Sequence, residues 1–181
     1  QANSLNKQSL APFNVASLEH TERNILARAE HISQLAAQDS PSVQPIIICG
    51  MFRSGSTLVE QILGASGCIQ AGGELEFVHR QLFELTNKPM QLLNKAGTPG
   101  FAQAYDDLLV SVAKGHDWVT DKRPENYLYI DILKQLYPGL KVIWTQRDIR
   151  DNALSACFQR LGPSLNYATD LDNIRHMYEH Q

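Results

Sequence analysis

Residues 50–57 have the composition of an anion-binding turn. Their sequence is GMFRSGST, in which Gly50 and Gly55 bound a segment rich in hydroxyl side chains. Glycines allow a backbone to approach phosphate oxygens closely, and the N–H groups at the start of a helix can then donate to those oxygens. The glycine spacing is that of a phosphate-binding P-loop. The segment therefore predicts a site for a phosphate group.

One residue of this loop departs from the P-loop pattern and narrows the range of reactions that the loop could support. Ser56 stands where the pattern G-x-x-x-x-G-K-[ST] has its lysine. In ATPases and GTPases that lysine reaches the β- and γ-phosphates, so its absence argues against magnesium-dependent triphosphate hydrolysis. A 5′-phosphate with one further charged group suits the remaining donors, because an arginine fork can hold it without a metal. The expected contacts are Arg53, Ser54, Gly55, Ser56 and Thr57.

Polar residues also follow two later strands. Lys122 comes just after a strand predicted at residues 118–120, and Arg147 comes just after one at residues 141–145. Ligands of open α/β sheets bind beyond the carboxyl ends of the strands, so these cations are expected beside the loop. Ser155 lies about two helical turns beyond Arg147, and both can reach one phosphate if a helix begins near residue 149.

The elements that must position these residues alternate between strands and helices. The first strand, at residues 46–49, is apolar without alternation, as expected when both sheet faces are covered. Such alternation of elements implies parallel βαβ units. We predict a P-loop-type three-layer α/β/α fold with a parallel sheet. Helices are predicted at residues 18–35, 58–63, 74–85, 101–114, 126–137, 151–160 and 170–181, with Leu58, Val59, Ile62 and Leu63 forming the apolar side of the helix after the loop.

The length of 181 residues suits one α/β domain. We place that domain at residues 44–181, after an N-terminal helical extension and linker at residues 1–43. The chain begins at Gln1 without methionine and ends inside a helical pattern, so we expect a piece of a longer protein with an incomplete C-terminal part.

The net charge of −3 and a pI near 6.1 give no general attraction to nucleic acid or to anionic membranes. No apolar run has the length of a membrane span, and no signal pattern is present at the N-terminus. Cys49, Cys68 and Cys157 lack metal-ligand spacing, and their odd number argues against a disulfide framework. These features predict a cytoplasmic location.

Taken together, the motifs resemble those of the sulfotransferases that use 3′-phosphoadenosine 5′-phosphosulfate (PAPS). The resemblance is greatest to the protein-tyrosine sulfotransferase-like branch and to bacterial relatives with tetratricopeptide repeats, and it runs from about Pro45 to the C-terminus. GMFRSGSTLVEQIL looks like the 5′-phosphosulfate loop of that family, with Phe52 in place of its usual proline. QRDIRDNALSACF is similar to its 3′-phosphate motif, which implies that Arg147 and Ser155 bind that phosphate.

Two further segments resemble the catalytic segments of that branch. AGGELEF, at residues 71–77, resembles the one with the catalytic glutamate, and TDKRPEN, at residues 120–126, the one with the catalytic lysine. The resemblance implies that Glu74 accepts the proton of an acceptor hydroxyl and that Lys122 neutralises the departing bridging oxygen. It also implies PAPS as co-substrate and no metal. The base role requires partial desolvation of Glu74. Glu76 is a competing base, and Glu74 could instead begin a helix.

Two other functions are compatible with the same residues. One is a P-loop kinase of small metabolites, which would need a carboxylate that binds magnesium, and Asp121 is the only candidate for it. The other is a noncatalytic nucleotide-binding or interaction module that is attached to a helical-repeat region. For a sulfotransferase, the hydroxyl-bearing acceptor stays open between peptide tyrosine, carbohydrate and a small alcohol.

Overall fold

A parallel three-stranded sheet forms the centre of the computed structural model. Its strands are β1 (Gln44–Gly50), β2 (Trp118–Lys122) and β3 (Lys141–Thr145), and β1 lies between the other two. In the register, Ile48 of β1 pairs with Lys122 of β2. The loop that follows β1 therefore starts between the carboxyl ends of its two neighbours, which is where ligands of such sheets bind.

Helices account for most of the remaining chain that the structure describes, which is residues 12–38, 41–158 and 163–180. The α-helices are α1 (Val15–Ala29), α2 (Ser56–Ala65), α3 (Phe77–Leu82), α4 (Pro89–Ala96), α5 (Pro99–Ala113), α6 (Ile130–Leu136), α7 (Ile149–Cys157) and α8 (Leu171–Glu179). Short 3₁₀ segments are Ile32–Gln34, Phe83–Leu85, Pro124–Tyr129 and Pro163–Thr169. The predicted α/β fold with a parallel sheet between helices is confirmed.

The central strand β1 is buried on both faces. Ile47 and Cys49 point into the main core, and Ile46 and Ile48, which alternate to the opposite face, are buried as well. This double burial explains the apolar run without alternation. Burial also raises the pKa of the Cys49 thiol to about 12, so this cysteine is a core residue and not a reactive one.

Helix α2 has a different buried face from the one its apolar pattern predicts. Leu58 and Ile62 are 61% and 63% exposed, whereas Glu60 is only 7% exposed. The prediction that Leu58 and Ile62 face the core is therefore wrong. The helix turns Glu60 toward β2, because hydrogen bonds from Thr120 and Gly73 offset the cost of burying this carboxylate.

Helix α1 ends at residue 29, six residues before the predicted end, because the chain turns there so that Leu35 packs into the main core. The buried guanidinium of Arg28 joins this helix to α6 through Asp131, with an N–O distance of 2.7 Å. Residues 1–11 and 39–40 of the predicted extension lie outside the described residues, as do the predicted helix ends at Arg160 and Gln181.

Two predicted helices are shorter than expected, and α4 was not predicted. The helix predicted from residue 74 begins at Phe77, because residues 70–73 instead form hydrogen bonds along the edge of β2. The first part of the helix predicted at residues 126–137 is the 3₁₀ segment Pro124–Tyr129. The residues before α3 thus form an extended segment that leads to Glu74, and not the first turn of the predicted helix.

Candidate active site

The loop after β1 is attached to the end of β3. Gly50 has a φ of 133°, and a Cβ atom there would lie 2.2 Å from the carbonyl oxygen of Thr145, so only glycine fits. The Thr145 hydroxyl donates to the carbonyl of Cys49 at 3.0 Å. The Ser54 hydroxyl lies 2.7 Å from Thr145 Oγ1 and therefore donates to it. Ser54 is buried, so its hydroxyl supports the shape of the loop from below.

Arg53 connects this loop to helix α7. Its backbone has a φ of 71°, which is uncommon for a residue other than glycine. Its Nε donates to Ser155 Oγ at 2.9 Å, and its guanidinium carbon lies 5.9 Å from the ring centre of Phe52. Helix α7 begins at Ile149, two residues before its predicted start, and this meets the condition for Arg147 and Ser155 to reach one phosphate. The two predicted phosphate-binding motifs are thus in direct contact.

A cavity of about 330 Å³ lies above the loop. Helix α2 begins beneath it at Ser56, directly after Gly55, whose φ of 100° is in the region that favours glycine. The backbone N–H groups of that first helical turn are suited to an anion. Seven of the predicted site residues line the cavity, namely Arg53, Gly55, Ser56, Thr57, Glu74, Lys122 and Arg147.

Lys122 and Glu74 form an ion pair at the edge of this cavity. Lys122 Nζ lies 2.7 Å from Glu74 Oε1, and the two side chains are 9% and 55% exposed. Lys122 is the last residue of β2, so a strand fixes its backbone. The exposure of Glu74 does not provide the desolvation that the sequence led us to expect of a general base.

The competing residues lie elsewhere. Glu74 precedes α3 by three residues, so the alternative in which it begins a helix is wrong. Glu76 lies 4.0 Å from Arg123 and lines a separate small cavity. His79 lines that cavity too; its ring stacks on Phe83, and burial, with Arg123, lowers its pKa.

Arg147 reaches the cavity from the end of β3. Its Nε lies 3.7 Å from Asp151. The neighbouring Asp148 binds Arg150 at 3.0 Å, and the Arg150 side chain and backbone N–H lower the pKa of Asp148 to about 2. Among the residues that the structure describes, the guanidinium of Arg147 is therefore held by one contact, which is exposed and long.

Comparison with known proteins agrees with this geometry. A model described as the sulfotransferase family matches residues 45–181. The chain belongs to the sulfotransferase family. An uncharacterized protein of Aquifex aeolicus (strain VF5) is 32% identical over a 165-residue alignment that covers 82% of this chain. The chain spans 22% of the length of that relative.

Asp121, the carboxylate that a kinase would need, does not line the cavity of this sulfotransferase-family chain. It is fully buried, and its two oxygens accept hydrogen bonds from Tyr105 and Asn126, each at 2.9 Å. Burial raises its pKa to about 6. Among the described residues, no group of three or more His, Cys, Asp or Glu side chains is arranged to hold a metal ion. None of the described helices has the length and apolar character needed to cross a membrane.

Three buried polar residues that support the sulfotransferase-family site were not singled out from the sequence. Thr145 binds the loop from β3, and Asn152 of α7 donates to the carbonyl of Phe52 at 2.9 Å. Glu60 accepts from the backbone N–H of Gly73. Glu60 had one signal in the sequence, because it is the only acidic residue of α2 and stands within an apolar run.

Proposed function

We propose that this chain binds PAPS and transfers its sulfuryl group to an acceptor hydroxyl. Membership of the sulfotransferase family supports sulfuryl transfer in general. The observation that carries the finer proposal is the Lys122–Glu74 pair, at 2.7 Å, beside the anion-binding loop. A cation for a leaving oxygen and a carboxylate for an incoming hydroxyl are the two groups that this reaction requires.

The loop and α7 would share the binding of the nucleotide. The first N–H groups of α2 and the guanidinium of Arg53 suit the 5′-phosphosulfate, and Arg147 suits the 3′-phosphate. Ser155, the other predicted contact of the 3′-phosphate, does not line the cavity but lies 2.9 Å from Arg53. Ser155 Oγ accepts from Arg53, and a hydroxyl that accepts one hydrogen bond keeps its proton for a phosphate oxygen. The contact between Arg53 and Ser155 would therefore fix the spacing between the two phosphate sites.

Glu74 would accept the proton of the acceptor hydroxyl at a carboxylate oxygen. As the acceptor oxygen bonds to sulfur, the bond from sulfur to the bridging phosphate oxygen breaks, and negative charge develops on that oxygen. Lys122 would donate a hydrogen bond to it. An ammonium group has three protons, so Lys122 can keep its contact with Glu74 while it does so. The products are a sulfate ester, 3′-phosphoadenosine 5′-phosphate and a protonated Glu74.

Lys122 is well suited to this part because it is largely shielded from water. Its side chain is 9% exposed, and a charge interacts more strongly at low dielectric than in bulk water. The ion pair with Glu74 offsets the cost of burying the ammonium. The exposed side of Glu74 is open to an acceptor, and a bound acceptor that covers this carboxylate would supply the desolvation that the free chain lacks.

Calorimetric titration with 3′-phosphoadenosine 5′-phosphate tests the binding half of this proposal. Adenosine 5′-monophosphate and ATP–magnesium serve as comparison ligands. We expect the 3′-phosphorylated nucleotide to bind most tightly and this preference to weaken in Arg147→Ala. Tight ATP–magnesium binding without a preference for the 3′-phosphate would contradict it.

The transfer half is tested with sulfur-labelled PAPS. A tyrosine peptide, an oligosaccharide and a simple phenol are offered separately, and we expect label on one of them. Nucleotide binding without transfer to any acceptor would favour a noncatalytic nucleotide-binding module instead.

A further inference from the structure

A buried carboxylate holds the backbone directly before Glu74. Glu60 Oε1 accepts from the N–H of Gly73 at 2.9 Å, and Glu60 is buried. The residue before Glu74 is thus bound to a carboxylate of helix α2.

Glu60 takes part in a closed set of hydrogen bonds. The N–H of Gly72 donates to Thr120 Oγ1 at 3.0 Å, and the Thr120 hydroxyl donates to Glu60 Oε1 at 2.6 Å. Gly73 donates to the same oxygen of Glu60. A Cβ atom on Gly72 would lie 2.1 Å from the carbonyl oxygen of Thr120, so the segment is pressed against β2. This arrangement fixes both the position and the direction of the chain as it enters Glu74.

The backbone of β2 binds the segment as well. The N–H of Gln70 donates to the carbonyl of Trp118 at 2.9 Å, and the N–H of Thr120 donates to the carbonyl of Gln70 at 3.0 Å. The N–H of Lys122 also donates to the carbonyl of Gly73 at 2.8 Å, so β2 binds the segment through backbone and side chains together.

Glu60 does not line the cavity above the loop, whereas Glu74 and Lys122 both do. Burying a carboxylate is costly unless it is well hydrogen-bonded, and here the partners are the Thr120 hydroxyl and the backbone N–H next to Glu74. We infer that Glu60 is a positioning residue that, with Thr120, holds Glu74 beside Lys122. This inference rests on the proposed role of Glu74 as the base, but its structural part does not.

The test compares Glu60→Ala, Glu60→Gln and Thr120→Val with Glu84→Ala, an exposed glutamate outside this cluster that serves as the control. Glutamine keeps a carbonyl oxygen that can accept both hydrogen bonds, so Glu60→Gln is the conservative variant. Amide hydrogen exchange at Gly73 is measured by NMR, because local opening of the segment exposes this N–H group. Affinity for 3′-phosphoadenosine 5′-phosphate and kcat for transfer from PAPS are measured on the same samples.

We expect Glu60→Ala and Thr120→Val to accelerate exchange at Gly73 and to lower kcat by about 10- to 100-fold, the range for a misplaced catalytic group. Nucleotide affinity should change little, because the loop is held by β3. Glu60→Gln should have an exchange rate at Gly73 and a kcat close to those of the unsubstituted chain.

The inference would be overturned if Glu60→Ala and Thr120→Val both showed the same exchange rate at Gly73 and the same kcat as Glu84→Ala. So would a loss of nucleotide affinity as large as the loss of kcat. If Glu60→Ala does not fold, Glu60→Gln and Thr120→Val decide, since both conserve side-chain volume. If no form of the chain transfers sulfuryl groups, the proposed function fails, and the exchange rates still decide whether Glu60 holds the segment.

Discussion

The loop at residues 50–57 and the segment at residues 70–75 meet in one cavity but are held in different ways. The loop is a glycine turn between adjacent elements, and it is joined to Thr145 and Ser155, which are distant in sequence. The segment has no such turn and lies along β2, where Thr120 and Glu60 bind its backbone. The turn of the loop is therefore encoded by neighbouring residues, whereas the position of Glu74 depends on how α2 and β2 pack.

The largest effect is expected from Glu74→Gln, in the segment at residues 70–75. Loss of the proton acceptor should lower kcat by about 10²- to 10⁴-fold, the usual contribution of a general base. Affinity for 3′-phosphoadenosine 5′-phosphate should be conserved, because the loop is intact. Glu76→Gln is the matched control and should stay within a few-fold of the unsubstituted chain. A larger loss in Glu76→Gln would assign the base to Glu76.

Lys122→Ala is expected to have the next largest effect. Removing a positioned donor to a developing charge should lower kcat by about 10²- to 10³-fold, with a much smaller change in nucleotide affinity. Steady-state kinetics and calorimetry on one preparation measure both quantities. Lys95→Ala, at an exposed position of α4, controls for loss of charge. Equal losses in kcat and affinity would mean that Lys122 only binds the nucleotide.

Substitutions of the two arginines that line the cavity should show the opposite pattern, with a larger effect on nucleotide affinity than on kcat. Arg53→Ala removes a charge-assisted contact and should weaken the binding of 3′-phosphoadenosine 5′-phosphate by about 10- to 100-fold. Arg147→Ala should have a similar but smaller effect, since this side chain is more loosely held. The comparison ligand is adenosine 5′-monophosphate, for which Arg147→Ala should matter little. If both ligands lose affinity equally, Arg147 does not bind the 3′-phosphate.

The smallest expected effect is on stability and concerns Asp121. Its pKa is about 6 in the folded chain and 3.8 ordinarily, so the folded state binds more protons than the unfolded state between these values. Its contribution to stability is complete below about pH 4 and is lost as the pH rises through 6. The free energy of unfolding, measured by urea titration, should therefore rise on acidification from pH 7 to pH 4.5 relative to Asp121→Asn, by roughly 2 kcal/mol. Parallel pH profiles of the two proteins would contradict this expectation.

The same division explains what the sequence could predict. Local patterns predicted all three strands, helix α7 and the loop, because glycine spacing and apolar runs are properties of neighbouring residues. The contact between Arg53 and Ser155 and the role of Glu60 were not predictable, because they depend on how α2 and α7 pack. Apolar periodicity in α2 even predicted the wrong face, since hydrogen bonding decided that Glu60 is buried.

Gly50 has a consequence for how this site can evolve. A methyl group there would meet the carbonyl oxygen of Thr145 at 2.2 Å, so the carboxyl ends of β1 and β3 cannot change their separation through a new side chain at this position. A variant that keeps Gly50 can therefore keep the close contact between the loop and the end of β3. Under the proposed function, a nucleotide with a different span between its phosphates would be accommodated at Arg147, because its described contact is 3.7 Å long, whereas Lys122 and Arg53 have contacts of 2.7 and 2.9 Å.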